Sequence, residues 1–214
     1  MNNENNKVID LAIDFKYAES SYKSLNNLKA SISKGKCIAL CGESGCGKTS
    51  LLRIINRLIP EFYEGELKGF CLINGLDNQN QTLGELGKTV SSVFQDPRSQ
   101  FFTTNTTNEL VFGLENFAYS HDEIVKRVNE IFDNPHYAKY KNRNVFELSS
   151  GERQNIAILA AKVLDTDIYL LDEPSANLDY ESTNELVDNL KSLKALNKNY
   201  HFIRTSFISF EGFG

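Results

Sequence analysis

The segment that most constrains this chain is Gly42-Glu43-Ser44-Gly45-Cys46-Gly47-Lys48-Thr49, which follows the spacing G-x-x-x-x-G-K-[ST]. Before it stands the continuous apolar run Cys37-Ile38-Ala39-Leu40-Cys41, the pattern of a strand buried on both faces. After it Leu51, Leu52, Ile54, Ile55, Leu58 and Ile59 recur at helical spacing up to Pro60, which is expected to end the helix. A glycine-rich turn in that position lets the backbone wrap closely round an anion and aim successive N–H groups at it. The helix contributes its own unpaired N–H groups and the positive end of its dipole. Lys48 is then expected to reach the β- and γ-phosphates of a nucleotide, and the Thr49 hydroxyl to bind Mg2+. Gly42, Ser44, Gly45, Cys46, Gly47 and Ser50 complete the expected phosphate-binding set. Such a match arises by chance in about one chain in a hundred of this length, so the flanking strand and helix carry much of the weight.

A second apolar run, Ile168-Tyr169-Leu170-Leu171, ends in Asp172-Glu173-Pro174. A buried strand that ends in a carboxylate puts it at the carboxyl edge of the sheet, where ligands of open α/β sheets bind. Asp172 is expected to hold Mg2+, directly or through water, and Glu173 to polarise an attacking water as general base. Taken alone the same residues also read as an exposed acidic turn. With the phosphate loop they indicate a P-loop NTPase.

The rest of the chain arranges itself round these two segments. Alternation in Asp10–Phe15 and again at Leu28, Ala30 and Ile32 predicts two half-buried strands. Phe70–Ile73 predicts another, turned by Asn74-Gly75, and Val90–Phe94 a further short one. Residues 108–164 read as mainly helical, with breaks near Tyr119-Ser120 and Asn134-Pro135, and a helix carrying Leu186, Val187, Leu190 and Leu193 follows the acidic strand end. The expectation is one α/β domain: a nucleotide-binding core over about 1–95 and 165–214, and a helical subdomain over about 96–164. The 214 residues suffice for one good-sized core. No apolar run approaches the ~18 residues of a membrane-spanning helix, and Met1–Lys7 is polar with no signal-peptide pattern. A cytoplasmic chain is therefore expected. The net charge of −5 gives no support to nucleic-acid binding. Cys37, Cys41, Cys46 and Cys71 lack zinc-ligand spacing and are expected to be reduced and buried.

Leu148-Ser149-Ser150-Gly151-Glu152-Arg153-Gln154, ahead of Asp172, resembles the ABC signature Leu-Ser-Gly-Gly-Gln, with Ser150 for the first Gly and Glu152 for the Gln. The same residues read as an N-cap Ser with Glu at the third helical position. Other positions fall in the family's order. Gln95, after Val90–Phe94, resembles the glutamine that senses Mg2+ and the transmembrane partner. Ser175-Ala176-Asn177-Leu178-Asp179 resembles the D-loop, through Asn177 and Asp179, and Tyr17 the aromatic residue that stacks on adenine. Tyr17 reads equally as a core or surface tyrosine. The resemblance spans roughly residues 8–197. It implies a P-loop core with a mixed sheet, an antiparallel β-subdomain and a helical insertion. It also implies an ATP hydrolase with Glu173 and Gln95 in catalysis, ATP and Mg2+ as cofactors, and Thr49, Gln95 and Asp172 as metal residues. Ser149, Ser150, Gly151 and Glu152 would act on ATP held by a second ATPase subunit.

Leu58–Gly65, Phe94–Thr103 and Phe146–Glu152 look more narrowly like the ATPases of energy-coupling-factor and cobalt-type importers, which take up vitamins or metal ions. That likeness implies an integral membrane partner, a peripheral location on the cytoplasmic face, and a place for Phe101-Phe102 near the groove that receives the partner. The competing reading of Phe101-Phe102 is subdomain core. Soluble ABC ATPases that act on DNA or ribosomes usually carry coiled-coil insertions or basic surfaces, which do not appear here. The tail Asn199–Phe210 departs from the family pattern: the switch histidine is expected near Ser206, and His201 comes too early to take that role. The C-terminal end thus reads as incomplete, either an altered or truncated reading or a degenerate ATPase that binds ATP and turns it over poorly.

Overall fold

The computed structural model describes residues 6–176, 178, 180–195 and 201–205. Strand β1 (Lys7–Tyr17) lies at the centre of the first sheet. Its Leu11, Ile13 and Phe15 are buried, as the alternation predicts, and Val8 and Ile9 are buried with them. It pairs antiparallel with β2 (Leu25–Ser33) on one side and β4 (Gly65–Ile73) on the other, so that Leu11 stands opposite Ala30 and Cys71. The turn at Asn74-Gly75 folds β5 (Leu76–Asp77) back on β4, which gives the order β2-β1-β4-β5.

The second sheet is parallel. It runs β3 (Cys37–Leu40), β8 (His201–Thr205), β7 (Ile168–Asp172) and β6 (Val90–Val93). The tail that departs from the family's motif pattern supplies a strand, and His201 opens it opposite Ile168. Pairing with β7 on one edge and β3 on the other satisfies its main-chain groups whatever its side-chain pattern. Ser206 lies outside the described residues. Strand β7 is buried along its whole length. Strand β3 is not: Ile38 and Leu40 pack on the core, while Cys37 and Ala39 are exposed. Cys41 and Cys46 are exposed too, so burial of the thiols holds for Cys71 alone.

Helix α1 (Lys48–Ile55) packs Leu51, Leu52, Ile54 and Ile55 into the core beneath both sheets. It stops well before Pro60: Arg57 takes a left-handed conformation, and a short α2 (Leu58–Glu61) contains the proline. The buried Asn78 side chain donates to the carbonyls of Ile54 and Ile55 and closes the end of α1. After α3 (Leu83–Gly87) and β6 come α4 (Thr106–Asn116), α5 (His121–Phe132), α6 (Pro135–Ala138) and α7 (Ser150–Leu164). Asn105, Ser120, Asn134 and Ser149 cap them with side-chain oxygens.

Helix α7 lies between two cores. Ile156, Leu159 and Val163 join Leu110, Leu114 and Phe132 of the helical part. Ala157, Ile158 and Ala161 face Val93, Tyr169 and Leu171 of the parallel sheet and Leu186 of α8 (Tyr180–Ala195). The start of α7 is thereby held against the carboxyl ends of β6 and β7.

Candidate active site

The loop that follows β3 reaches α1 through Gly45 and Gly47, both left-handed, with φ 80° and 95°. A side chain at Gly47 would also meet the Ser24 carbonyl oxygen at 2.5 Å. Only glycine satisfies both constraints. Gly47 caps α1 without any side-chain acceptor, so the first amides of the helix are not closed off by a protein side chain. That is the arrangement in which a helix start receives an anion. The Lys48 ammonium donates to the carbonyls of Gly42 (2.9 Å) and Glu43 (2.8 Å), folded across the loop it would share with a phosphate.

Register brings the acidic groups to this loop. In the parallel pair β6–β7, Val93 stands opposite Leu171. The residues just past β6 therefore lie beside those just past β7. Asp172 ends β7 and is buried. Glu173 is left-handed at φ 43°, a conformation uncommon for a residue with a side chain. The amide Nε2 of Gln95 donates to Glu173 Oε2 at 2.9 Å. Thr49, Gln95 and Asp172 line one cavity of about 540 Å3, together with Arg53, Tyr63 and Phe94. A hydroxyl, an amide carbonyl and a carboxylate are the hard oxygen donors that Mg2+ takes, so the residues present fit that ion.

Tyr17 ends β1 with its hydroxyl 3.0 Å from Ser50 Oγ and within 3.4 Å of Arg53 Nη1. Its ring meets Phe15 edge-on at 4.6 Å. It thus stands beside α1, outside the cavity of Thr49 and Asp172.

The Ser149–Glu152 turn forms a complete capping box. Ser149 Oγ accepts from the Glu152 N–H at 3.2 Å, and Glu152 Oε2 accepts from the Ser149 N–H at 2.9 Å. Arg143 Nη1 lies 3.7 Å from the other carboxylate oxygen of Glu152. Ser149 and Ser150 are exposed, whereas Gly151 is buried. A Cβ on Gly151 would sit 2.5 Å from Ser182 Cβ of α8 and closer still to its Oγ. Within one chain, then, the close approach at Gly151 is to a helix. Ser150 lines a second cavity, which shares Gln95 with the first. Past Glu173, Ala176 N–H donates to the Glu173 carbonyl at 2.9 Å and Leu178 packs beside Leu186. Asn177 and Asp179 lie outside the described residues.

Two groups near the site carry no sequence motif. Glu109 of α4 is buried, and one of its carboxylate oxygens accepts from the N–H groups of Phe102 (3.1 Å) and Thr103 (2.8 Å). It pins the segment that follows Gln95. Of the two phenylalanines there, Phe101 packs into the core, and Phe102 is 75% exposed, stacked on Phe112 at 4.5 Å. Glu185 of α8 accepts from Asn155 Nδ2 (2.8 Å) and pairs with Lys139 (3.0 Å), tying α8 to α6 and α7. The partners of Glu109 are main-chain N–H groups and those of Glu185 come from distant segments, so neither leaves a side-chain pattern to read.

Comparison with known proteins supports the same assignment. The family profile described as ABC transporter matches residues 25–176. A provisionally named ABC transporter ATP-binding protein of Treponema denticola is 42% identical over 186 residues, covering 87% of this chain and 38% of the relative. A similarly named protein of Methanosarcina mazei is 36% identical over 183 residues, covering 86% of this chain and 31% of the relative. The chain therefore spans less than two fifths of the length of these curated relatives. Among solved structures, CbiO1 of Clostridium perfringens, part of the ABC transporter complex cbiONQ, matches with a TM-score of 0.81 at 23% identity. The match covers 94% of this chain and 79% of that one, and is a likeness of fold.

Proposed function

Because the chain belongs to the ABC transporter ATP-binding family, whose members hydrolyse ATP, we propose that it is the ATP-binding and ATP-hydrolysing motor of an ABC-type importer. The observation that carries this reading is the 2.9 Å hydrogen bond from Gln95 to Glu173 beside Asp172 and Thr49. The loop amides of Gly42–Thr49 and the α1 N-terminus cradle the triphosphate. Lys48 exchanges its two carbonyl partners for β- and γ-phosphate oxygens. Thr49, Asp172 and Gln95 are the residues that would hold Mg2+, which when bound neutralises charge on the phosphates. Glu173 Oε2 takes a proton from water as its oxygen bonds to the γ-phosphorus and the bond to the leaving ADP oxygen breaks. Gln95 holds that carboxylate in place. Tyr17, whose hydroxyl meets Ser50, offers its ring to adenine.

A second ATPase subunit contributes its Ser149–Glu152 turn to the γ-phosphate, and Asn177 and Asp179 act across that interface. The exposed Phe102, on the segment pinned by Glu109, faces an integral membrane partner, which holds the chain at the cytoplasmic face. Among the described residues no helix is long and apolar enough to cross a membrane. The energy-coupling-factor type, for a vitamin or metal ion, is supported by the fold likeness to CbiO1 and by the Phe94–Thr103 segment. The test is steady-state phosphate release by the purified protein. Turnover should vanish in Glu173→Gln with ATP binding retained. Turnover unchanged by that variant would refute the assignment.

A further inference from the structure

The second cavity, about 410 Å3, lies between the segment after β6 and the first turn of α7. Its lining includes Gln95, Asp96, Arg98, Ser150, Arg153 and Gln154. Three observations there point the same way. Gln154 is 3% exposed, and its Nε2 has no hydrogen-bond acceptor among the described residues. A buried amide donor without a partner is rare in a folded protein and calls for one. Arg153 is 8% exposed and donates to the Leu148 carbonyl, which engages Nη1 and leaves the other guanidinium donors. Burial lowers the pKa of Arg153, and the nearby positive charge of Arg98 lowers it further, against the opposing pull of Asp96 and Glu152. Glu152 is already taken up by the Ser149 N–H and Arg143. Among the described residues that line it, the cavity therefore holds two guanidinium groups against the carboxylate of Asp96, with the positive end of the fifteen-residue helix α7 beside them.

We propose that this cavity is a binding site for a phosphate-type oxyanion, and that orthophosphate released by hydrolysis occupies it. The ligand must accept hydrogen bonds in several directions at once, from an amide and from two guanidinium groups, and must carry negative charge. A tetrahedral oxyanion does both. Position supports the source. Gln95 lines both this cavity and the one that holds Thr49 and Asp172, and it bonds the Glu173 carboxylate, so the cavity adjoins the place where a terminal phosphate would be cleaved. The site rests on the ATPase reading for the origin of its ligand, and on its own donors for binding.

The test is calorimetric titration of potassium phosphate into the protein with Mg–ADP saturating the Gly42–Thr49 loop, against potassium chloride at matched ionic strength. One saturable phosphate site is expected. Gln154→Glu, the same size with reversed polarity, and Arg98→Gln, at an exposed residue, should each weaken it tenfold or more. Arg98→Gln decides the matter should Gln154→Glu unfold at a lower temperature than the parent. Phosphate affinity unchanged in Arg98→Gln overturns the proposal. So does the absence of saturable binding, or binding that Mg–ADP abolishes, which would place the anion in the nucleotide loop. Loss of ATP turnover in the parent with phosphate binding intact would refute the hydrolytic reading and leave the anion site standing.

Discussion

Substituting alanine for Gly151 separates two roles that one glycine can play. In this chain the missing Cβ of Gly151 faces α8, 2.5 Å from Ser182 Cβ where ordinary contact begins at 3.4 Å. Rotating Ser182 moves its hydroxyl but not its Cβ, so the two helices must part. Overpacking of this kind costs about 1–3 kcal/mol. Alanine returns at most about 1 kcal/mol of helix propensity, and less at the second residue of a helix. The net loss is about 1–2 kcal/mol, a fall in Tm of about 3–6 °C for a chain of this size. Thermal unfolding followed by circular dichroism reads this directly, and Ser182→Gly combined with Gly151→Ala should restore most of it. If the double variant regains stability but not ATP turnover, Gly151 also serves the nucleotide of a second subunit. A Gly151→Ala protein as stable as the parent would refute the packing argument.

Other outcomes follow from single contacts. Lys48→Ala should remove most ATP affinity, measured with a fluorescent nucleotide, because among the described residues no other ammonium is folded across the loop carbonyls. Glu109→Ala strands two N–H donors on the segment behind Gln95 and should cost about 2–3 kcal/mol in urea unfolding. Cys71 is buried and its thiol is pushed up to about 12, so the folded protein keeps a proton that the unfolded chain loses from about pH 8.5 upward. Stability should therefore fall with rising pH above the ordinary thiol value, by up to about 1.4 kcal/mol per unit, and Cys71→Ala should flatten that slope. A thiol reagent at neutral pH should label Cys37, Cys41 and Cys46 in the native protein and Cys71 only on unfolding.

What could be read from residues alone was whatever local physics decides. The phosphate loop, the acidic end of β7 and the serine caps each sit in a few consecutive residues whose conformational needs are visible in their types. Coverage of a face is not visible in that way. The run Cys37–Cys41 has the pattern of a strand buried on both sides, yet of its residues Ile38 and Leu40 alone meet the core. The strand at His201–Thr205 is set by its backbone pairing with β3 and β7, which the irregular pattern of the tail does not display. Glu109 draws its meaning from main-chain groups of Phe102 and Thr103 just before its own helix, whereas Glu185 and the pair Arg153 and Gln154 acquire theirs from segments far away in the chain, which the fold alone brings together.

Glu152 stands where the family's signature has Gln, and its surroundings accommodate the carboxylate. Glu152 closes the capping box from the third helical position, where a negative charge also suits the helix dipole, and Arg143 stands 3.7 Å from its outer oxygen. The carboxylate is thus partly neutralised before any phosphate approaches. Glutamine can make the same box, and the ion pair is partly exposed on both sides. Glu152→Gln should therefore change stability by no more than about 0.5–1 kcal/mol. Any larger effect of that variant must appear in ATP turnover. If the turn meets the γ-phosphate of a second subunit as proposed, removing this negative charge should lower KM for ATP while Arg143 remains, and Arg143→Ala alone should raise it. If Glu152→Gln instead unfolds the chain early, or leaves KM unmoved while Arg143→Ala does the same, the residue is a helix cap and nothing more.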